Sequence, residues 1–381
     1  MTTNALAKIL AWLMSVFSVF AVWNLQAQPN NIPETRSSPY GSSMPPDKYS
    51  TWPTAKFETG KLPFGLSPKV QKGIIELKGL LIGGSKTDSL LILHKGKIVH
   101  EQYYNGYDAN TVHKQFSITK SVMSALIGIA IGEGHIGSVN DKVIDYFPEA
   151  VIPAGHESKK KMTIEHLLTM TSGLDTDACW NAFFNNGGLE TSPWEDTLFP
   201  KNIKDSALWA FELPQKHAPG TKYHYDSVAP SILGGIIERA TGRKLLDYAQ
   251  EKLFGPLGMT SVIWDKASDG LPLGGFGISM TPRDMARFGY LYLNYGRWED
   301  KQIIPADFVA ITPPRSKSIM AYGYLFWNHS LAPFSNYYEA NGINGQLIII
   351  KPSRDIVVVR TGKAGPSDGF VSRIGKALGI Q

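Results

Sequence analysis

The chain has 381 residues, with 38 Lys and Arg against 33 Asp and Glu, a formal net charge of +5. A hydrophobic fraction of 43% with 11% aromatics supplies a large core and excludes a disordered or fibrous chain. So thin a positive excess lacks the clustered basic footprint of a nucleic-acid binder, and Cys179, the single cysteine, excludes an internal disulfide and any Cys-rich metal site. The length exceeds the roughly 150 residues of a typical domain, so one large domain or two interlocked ones is expected.

Residues 1–27 read as a signal peptide. Lys8 gives the positive start, residues 9–23 form an uncharged stretch of 15 residues rich in apolar side chains, and Ala27 closes a small-residue cleavage site. The stretch is short of the roughly 20 residues of a membrane span. The expectation is a periplasmic or secreted mature chain without stable membrane insertion, an uncleaved anchor being the alternative. Residues 28–68 carry eight prolines, from Pro29 to Pro68, which preclude long helices and predict an extended arm. Residues 69–381 then form the compact domain.

Residues 89–104 hold two apolar-rich runs around Lys95-Gly96-Lys97, a β-hairpin signal. A helix is predicted over 117–134, with Val122, Met123, Leu126 and Ile127 at helical spacing and Gly134 as its stop. Further helices are expected over 163–168 and 231–240. Another starts at Thr281-Pro282-Arg283-Asp284, where Thr caps, Pro opens the first turn and an acid follows. The tail returns to strands over 322–328, 346–351 and 356–360, the last two joined by a Pro352-Ser353-Arg354-Asp355 turn, and a final helix over 370–378. Strands at both chain ends and helices between them predict an α/β (α+β) fold. One antiparallel sheet is built from both ends and flanked by helices, a mostly helical region at about 135–300 is inserted, and a groove lies at the seam.

The tetrapeptide Ser117-Ile118-Thr119-Lys120 carries the chemistry. On a helix start, residues three apart share a face, which brings the Lys120 amine to the Ser117 hydroxyl. A serine hydroxyl is a weak nucleophile until a base takes its proton, and a desolvated lysine can be that base. Free N–H groups at the helix start suit a developing oxyanion. Alone, the motif equally describes a capping serine followed by a solvated lysine.

Its surroundings single it out. It opens a strongly apolar helix, and further on come Ile144-Asp145-Tyr146-Phe147-Pro148-Glu149, the segment HLLTMTSGL at 166–174, Tyr225-Asp226-Ser227, and Gly342-Ile343-Asn344-Gly345-Gln346 leading a strand. Over about residues 85–375 the chain resembles the serine hydrolases of the class C β-lactamase and penicillin-binding-protein superfamily. Within it, the branch of the carboxylesterases and 6-aminohexanoate-dimer hydrolases is the most similar.

The resemblance implies that Ser117 is the acylated nucleophile, Lys120 the neighbouring base and Tyr225 the proton shuttle to the leaving group. It places Asn344-Gly345-Gln346 at the third motif, with the backbone N–H groups of Ser117 and Gln346 as oxyanion hole. The departures bear on substrate. Ser227 stands where the β-lactamases carry an Asn that contacts the substrate amide, and Ile343 or Asn344 where they carry a Lys that binds a carboxylate. Lys363, just past the last two strands, can restore a cation there in space.

Other residues read as structural. His166 is expected to cap or pack, and Cys179 to be a buried thiol. Trp180, Asn181, Phe183 and Phe184 pack in the core or gate the substrate, Trp180 being grouped with the substrate-binding residues. His100-Glu101 lacks the second His of a zinc-protease motif, and no Gly-x-Ser-x-Gly elbow, dinucleotide glycine pattern or phosphate loop occurs, so neither metal nor cofactor is expected. The expected partner is a small ester, amide or peptide substrate, not a nucleic acid. The leading expectation is a serine hydrolase in which Lys120 and Tyr225 accept the Ser117 proton. A β-lactamase or DD-peptidase activity, a binder that acylates without turning over, and a membrane-anchored envelope assembly factor are the alternatives.

Overall fold

The computed structural model describes residues 87–179, 181, 199–200, 202–312, 322–328, 337–363, 370 and 374–375. The expected signal peptide and Pro-rich arm, Trp180, Phe183, Phe184 and most of the expected C-terminal helix lie outside these residues. Among the described residues no helix is long and apolar enough to cross a membrane.

The chain enters with strands β1 (Thr87–His94), β2 (Lys97–Tyr103) and β3 (His113–Lys114), followed by helices α1 (Ile118–Gly132), α2 (Ile164–Leu168), α3 (Ser206–Glu212), α4 (Pro230–Thr241) and α5 (Leu245–Ala249). Strands β4 (Ile263–Trp264) and β5 (Ile278–Met280), helix α6 (Pro282–Leu293), the β6 (Arg297–Trp298) and β7 (Lys301–Gln302) pair and helix α7 (Ala306–Ile311) come next. It closes with β8 (Tyr322–Gly323), β9 (Phe326–Asn328), β10 (Tyr338–Gly342), β11 (Gln346–Lys351) and β12 (Ile356–Gly362).

The main sheet runs β2-β1-β12-β11-β10-β9-β8, antiparallel at every junction, so the first two strands and the last five meet at the β1–β12 seam. Its middle strands read as unbroken apolar runs because both faces are covered. Leu91, Leu93, Ile348, Ile350, Val357 and Val359 join the main core, across which α6 packs. Leu90, Ile92, Ile349 and Val358 form a second cluster with Phe370 and Ile374 of the expected final helix. At the first hairpin Lys95 (φ 49°) and Gly96 (φ 73°) both take the left-handed conformation that a two-residue turn needs.

The capping signals work as read. Thr163 and His166 form a capping box on α2, with Nδ1 of His166 accepting from Thr163 N–H at 3.1 Å. Thr281 Oγ1 accepts from Asp284 N–H at 3.2 Å at the head of α6. The strand expected over 322–328 is a hairpin instead. Tyr324 (φ 42°) and Leu325 (φ 64°) turn the chain between β8 and β9. The turn is held from both sides: Leu325 N–H donates to Leu168 O at 2.9 Å, and Ser121 Oγ of α1 donates to Leu325 O at 2.7 Å. Those two bonds to other elements offset a backbone conformation that bulky residues resist.

Candidate active site

Helix α1 runs through the middle of the main core, and every residue from Ile118 to Ala130 is buried. Such a helix is held by burial on all sides rather than by caps. Ser117 at its head makes no side-chain capping bond, so its hydroxyl is free of backbone duty. Phe116, immediately before it, sits at φ 50°, a strained conformation that fixes how Ser117 is presented.

One turn into the helix, Lys120 is 0% exposed. Its Nζ donates to three oxygens: Ser117 Oγ at 2.9 Å, Ser227 Oγ at 2.7 Å and the Gly275 carbonyl at 2.7 Å. Three acceptors match the three protons of an ammonium. Burial pushes Lys120 down to about 7, with the Asp226 carboxylate pulling the other way. Near neutral pH the amine is therefore available with a lone pair, 2.9 Å from a serine hydroxyl. That is the arrangement of a nucleophile beside its base.

Tyr225, Asp226 and Ser227 lie on the segment entering α4. Asp226 is buried, and its Oδ1 accepts from Val228 N–H at 2.8 Å and Ala229 N–H at 2.7 Å, which pins the segment to the helix start. Burial raises its carboxyl above the usual range, opposed by those bonds and by His224 and Lys120. The Tyr225 ring lies 4.8 Å from Lys120 Nζ, measured to its centroid. Burial raises the Tyr225 phenol well above its ordinary value, against the Ser117 side-chain hydrogen bond. It is a phenol at neutral pH, with a proton to donate. Behind it, Trp327 stacks on the ring at 5.6 Å and Tyr322 meets it edge-on at 5.8 Å, so the β8–β9 hairpin builds the wall of the site.

Gly275 was not legible as a site residue. A Cβ there would lie 2.1 Å from the Ser227 carbonyl oxygen, so only glycine lets this loop close on the Tyr225–Ser227 segment and bring its own carbonyl to Lys120. Gly342, at the end of β10, is a second close approach: a Cβ would lie 2.1 Å from the carbonyl oxygen of Gln115, two residues before Ser117.

The structure therefore brings Ser117, Lys120, Tyr225 and Ser227 together and shows how the 342–346 segment is built. It is Gly342 that meets the segment leading to Ser117, whereas Asn344 (φ 67°) and Gly345 (φ 81°) shape the turn to β11. Gln346 pairs across that turn with Gly342, and its side-chain amide donates to Gly362 O at 2.7 Å and Asn344 O at 3.3 Å. Gln346 thus supports the turn with its side chain. Ser227 contacts the Lys120 amine. Lys363 is exposed beside His113, whose imidazolium it helps to disfavour after burial. Burial first, then Asp226 and Asp175, push the Cys179 thiol up to about 11, which leaves it unreactive at neutral pH. Glu101, the acid of the incomplete zinc-protease motif, is held by Arg283 at 2.7 and 2.9 Å.

An antiparallel sheet built from both ends of the chain, with a Ser-x-x-Lys helix buried in the core against it, is the β-lactamase/transpeptidase-like fold. A family VIII carboxylesterase structure superposes with a TM-score of 0.61 at 18% identity, covering 85% of this chain and 99% of that one. That of EstCE1, described as a hydrolase with promiscuous acyltransferase activity, gives 0.64 at 14% identity, covering 81% and 98%. The chain belongs to the Beta-lactamase family, whose model matches residues 81–372. The 6-aminohexanoate-dimer hydrolase of Paenarthrobacter ureafaciens is 25% identical over 296 residues, 72% of this chain and 72% of that protein.

Proposed function

We propose that this protein is a serine hydrolase that cleaves ester or linear amide bonds through an acyl-enzyme on Ser117. The observation that carries the reading is the 2.9 Å contact between Ser117 Oγ and the fully buried Lys120 amine, whose burial brings it down to about 7. Neutral Lys120 takes the hydroxyl proton as Ser117 Oγ bonds to the substrate carbonyl carbon. The Ser117 N–H at the helix start, with a donor from the β10–β11 turn that Gly342 seats against Gln115, faces the oxyanion. Tyr225 gives its phenolic proton to the departing alcohol or amine as that bond breaks, and the Lys120 ammonium returns a proton to Tyr225. Water then adds to the acyl carbon, gives a proton to Lys120, and Ser117 leaves with the proton restored.

The printed activities of the relatives, an aminohexanoate-dimer hydrolase and a carboxylesterase, support small esters and linear amides as the substrate class. Export through residues 1–27 belongs to the same proposal, and fractionation of cells making the full chain tests it. The mechanistic test is pre-steady-state hydrolysis of p-nitrophenyl esters of short acids. A burst equal to the enzyme concentration in the wild type and none in Ser117→Ala is expected. A wild-type burst that survives in Ser117→Ala would refute the assignment.

A further inference from the structure

We propose that the Tyr223 phenol acts through Tyr225, lending a hydrogen bond to the Tyr225 oxygen as that oxygen gives up its proton to the leaving group. This rests on the reading of Tyr225 as the proton donor, and adds the group that steadies the charge left behind.

The starting observation is an unpaired donor. Tyr223 is half-buried, and its hydroxyl oxygen is shut off from solvent with no hydrogen-bond partner among the described residues. A buried hydroxyl without a partner costs folding free energy that a phenylalanine at the same place does not. Such a cost points to a use outside the resting structure.

The phenol is held next to Tyr225. The segment is anchored on both sides of Tyr225: His224 N–H donates to Met170 O at 2.8 Å, and Asp226 Oδ1 accepts from Val228 and Ala229 N–H. The Tyr223 and Tyr225 rings both meet the Tyr322 ring edge-on, each at 5.8 Å between centroids, so one buried ring braces both. Burial first, then Tyr225 and Asp226, raises the Tyr223 phenol well above its ordinary value, so it keeps its proton.

The acceptor follows from which neighbour gains charge. Among the described residues, three acidic groups act on or with the Tyr223 phenol: Tyr225, Asp226 and Tyr322. Oδ1 of Asp226 is filled by two backbone N–H groups, and burial holds the Tyr322 phenol protonated. Tyr225 alone changes. Its O–H bond breaks toward the leaving atom, the electron pair stays on its oxygen, and the Lys120 ammonium later restores the proton. A donor bonded to that oxygen is worth more to the anion than to the phenol, so it lowers the barrier. The proton of Tyr223 stays on Tyr223 throughout.

The test is Tyr223→Phe in the full chain, which keeps the ring against Tyr322 and removes the hydroxyl alone. kcat/KM is measured on butyrate esters whose leaving alcohols run from p-nitrophenol to ethanol, beside urea unfolding. The loss is expected to grow along the series, from about threefold for the p-nitrophenyl ester to about 10- to 30-fold for the ethyl ester. A poorer leaving group needs more of the Tyr225 proton. In the Tyr225→Phe background the same substitution should cost less than about twofold on the ethyl ester, because the acceptor is gone. Tyr223→Phe should resist urea at least as well as wild type, since the hydroxyl it loses had no partner. An equal loss on every ester, or one undiminished without the Tyr225 hydroxyl, overturns the proposal. So does a lower urea midpoint or a failure to fold, which would give the hydroxyl a structural partner. A Tyr225→Phe protein that hydrolyses the ethyl ester at the wild-type rate overturns the underlying reading instead.

Discussion

Two buried lysines invite comparison. Lys120 at the head of α1 and Lys159, in the turn at Glu157–Lys161, are both 0% exposed, and burial lowers both, to about 7 and about 8. Each has an aromatic ring beneath its amine, Tyr225 at 4.8 Å and Phe211 at 5.6 Å. Burial lowers both, Lys120 further, and it is their partners that set them apart in kind. Lys159 donates to Leu213 O and feels Glu212, and the bond ties a turn to the end of α3. Lys120 meets two hydroxyls and a carbonyl, one hydroxyl belonging to a residue with no capping role. A lowered lysine becomes a base only where a hydroxyl stands within a hydrogen bond of it.

Substitutions can break or sharpen this contrast. The largest effect is expected from Ser117→Ala, a fall of about 10⁴-fold or more in kcat/KM for p-nitrophenyl esters. Lys120→Met should cost about 10³-fold, whereas Lys159→Met should leave kcat/KM within about twofold. Equal losses from the two would show that burial, not the neighbouring hydroxyl, is what matters. Tyr225→Phe removes the proton donor while keeping the stack with Trp327, and a loss of about 100-fold in kcat with an unchanged melting curve is expected. Gly275→Ala should lower activity about tenfold and stability by about 1–3 kcal/mol, as the added methyl forces the loop off Ser227. Its readouts are steady-state rates and urea unfolding.

The pH dependence has two parts. The reaction needs neutral Lys120, so kcat/KM should rise through pH 7 and level off above it. In stability, both lysines bind protons more weakly folded than unfolded. The unfolded chain therefore holds more protons between about pH 7 and the ordinary lysine value, and stability from these groups grows as pH rises across that window. Lys159→Met should flatten the upper part of that rise while leaving the rate profile unmoved. A shifted rate profile would tie Lys159 to the site.

Much of this was legible in the chain because the signals are local. Lys95-Gly96 marks a turn, Thr281-Pro282 with Asp284 marks a helix start, and Ser117 with Lys120 is one helical turn of a motif. What escaped is carried by backbone or by contacts distant in sequence. The acceptor at Gly275 is a carbonyl, which any residue type has, and only the missing Cβ against Ser227 reveals why glycine is there. The β8–β9 turn uses Tyr324 and Leu325 at positive φ, with none of the glycine or asparagine that signals such a turn, because bonds from α1 and α2 hold it. The wall it builds behind Tyr225 followed from that hairpin and was equally hidden. The packing of Gly342 on Gln115 escaped for the same reason, since it leaves no trace in either segment alone.

The most direct test of the central claim is peptide-mapped intact-mass analysis after fluorophosphonate treatment at pH 8, with wild type, Lys120→Met and Lys159→Met side by side. One adduct on Ser117 is predicted in the wild type and in Lys159→Met, and none on the same timescale in Lys120→Met. Labelling of Ser117 at equal rates in all three would contradict the account, because the hydroxyl would then owe its reactivity to something other than the lysine beside it.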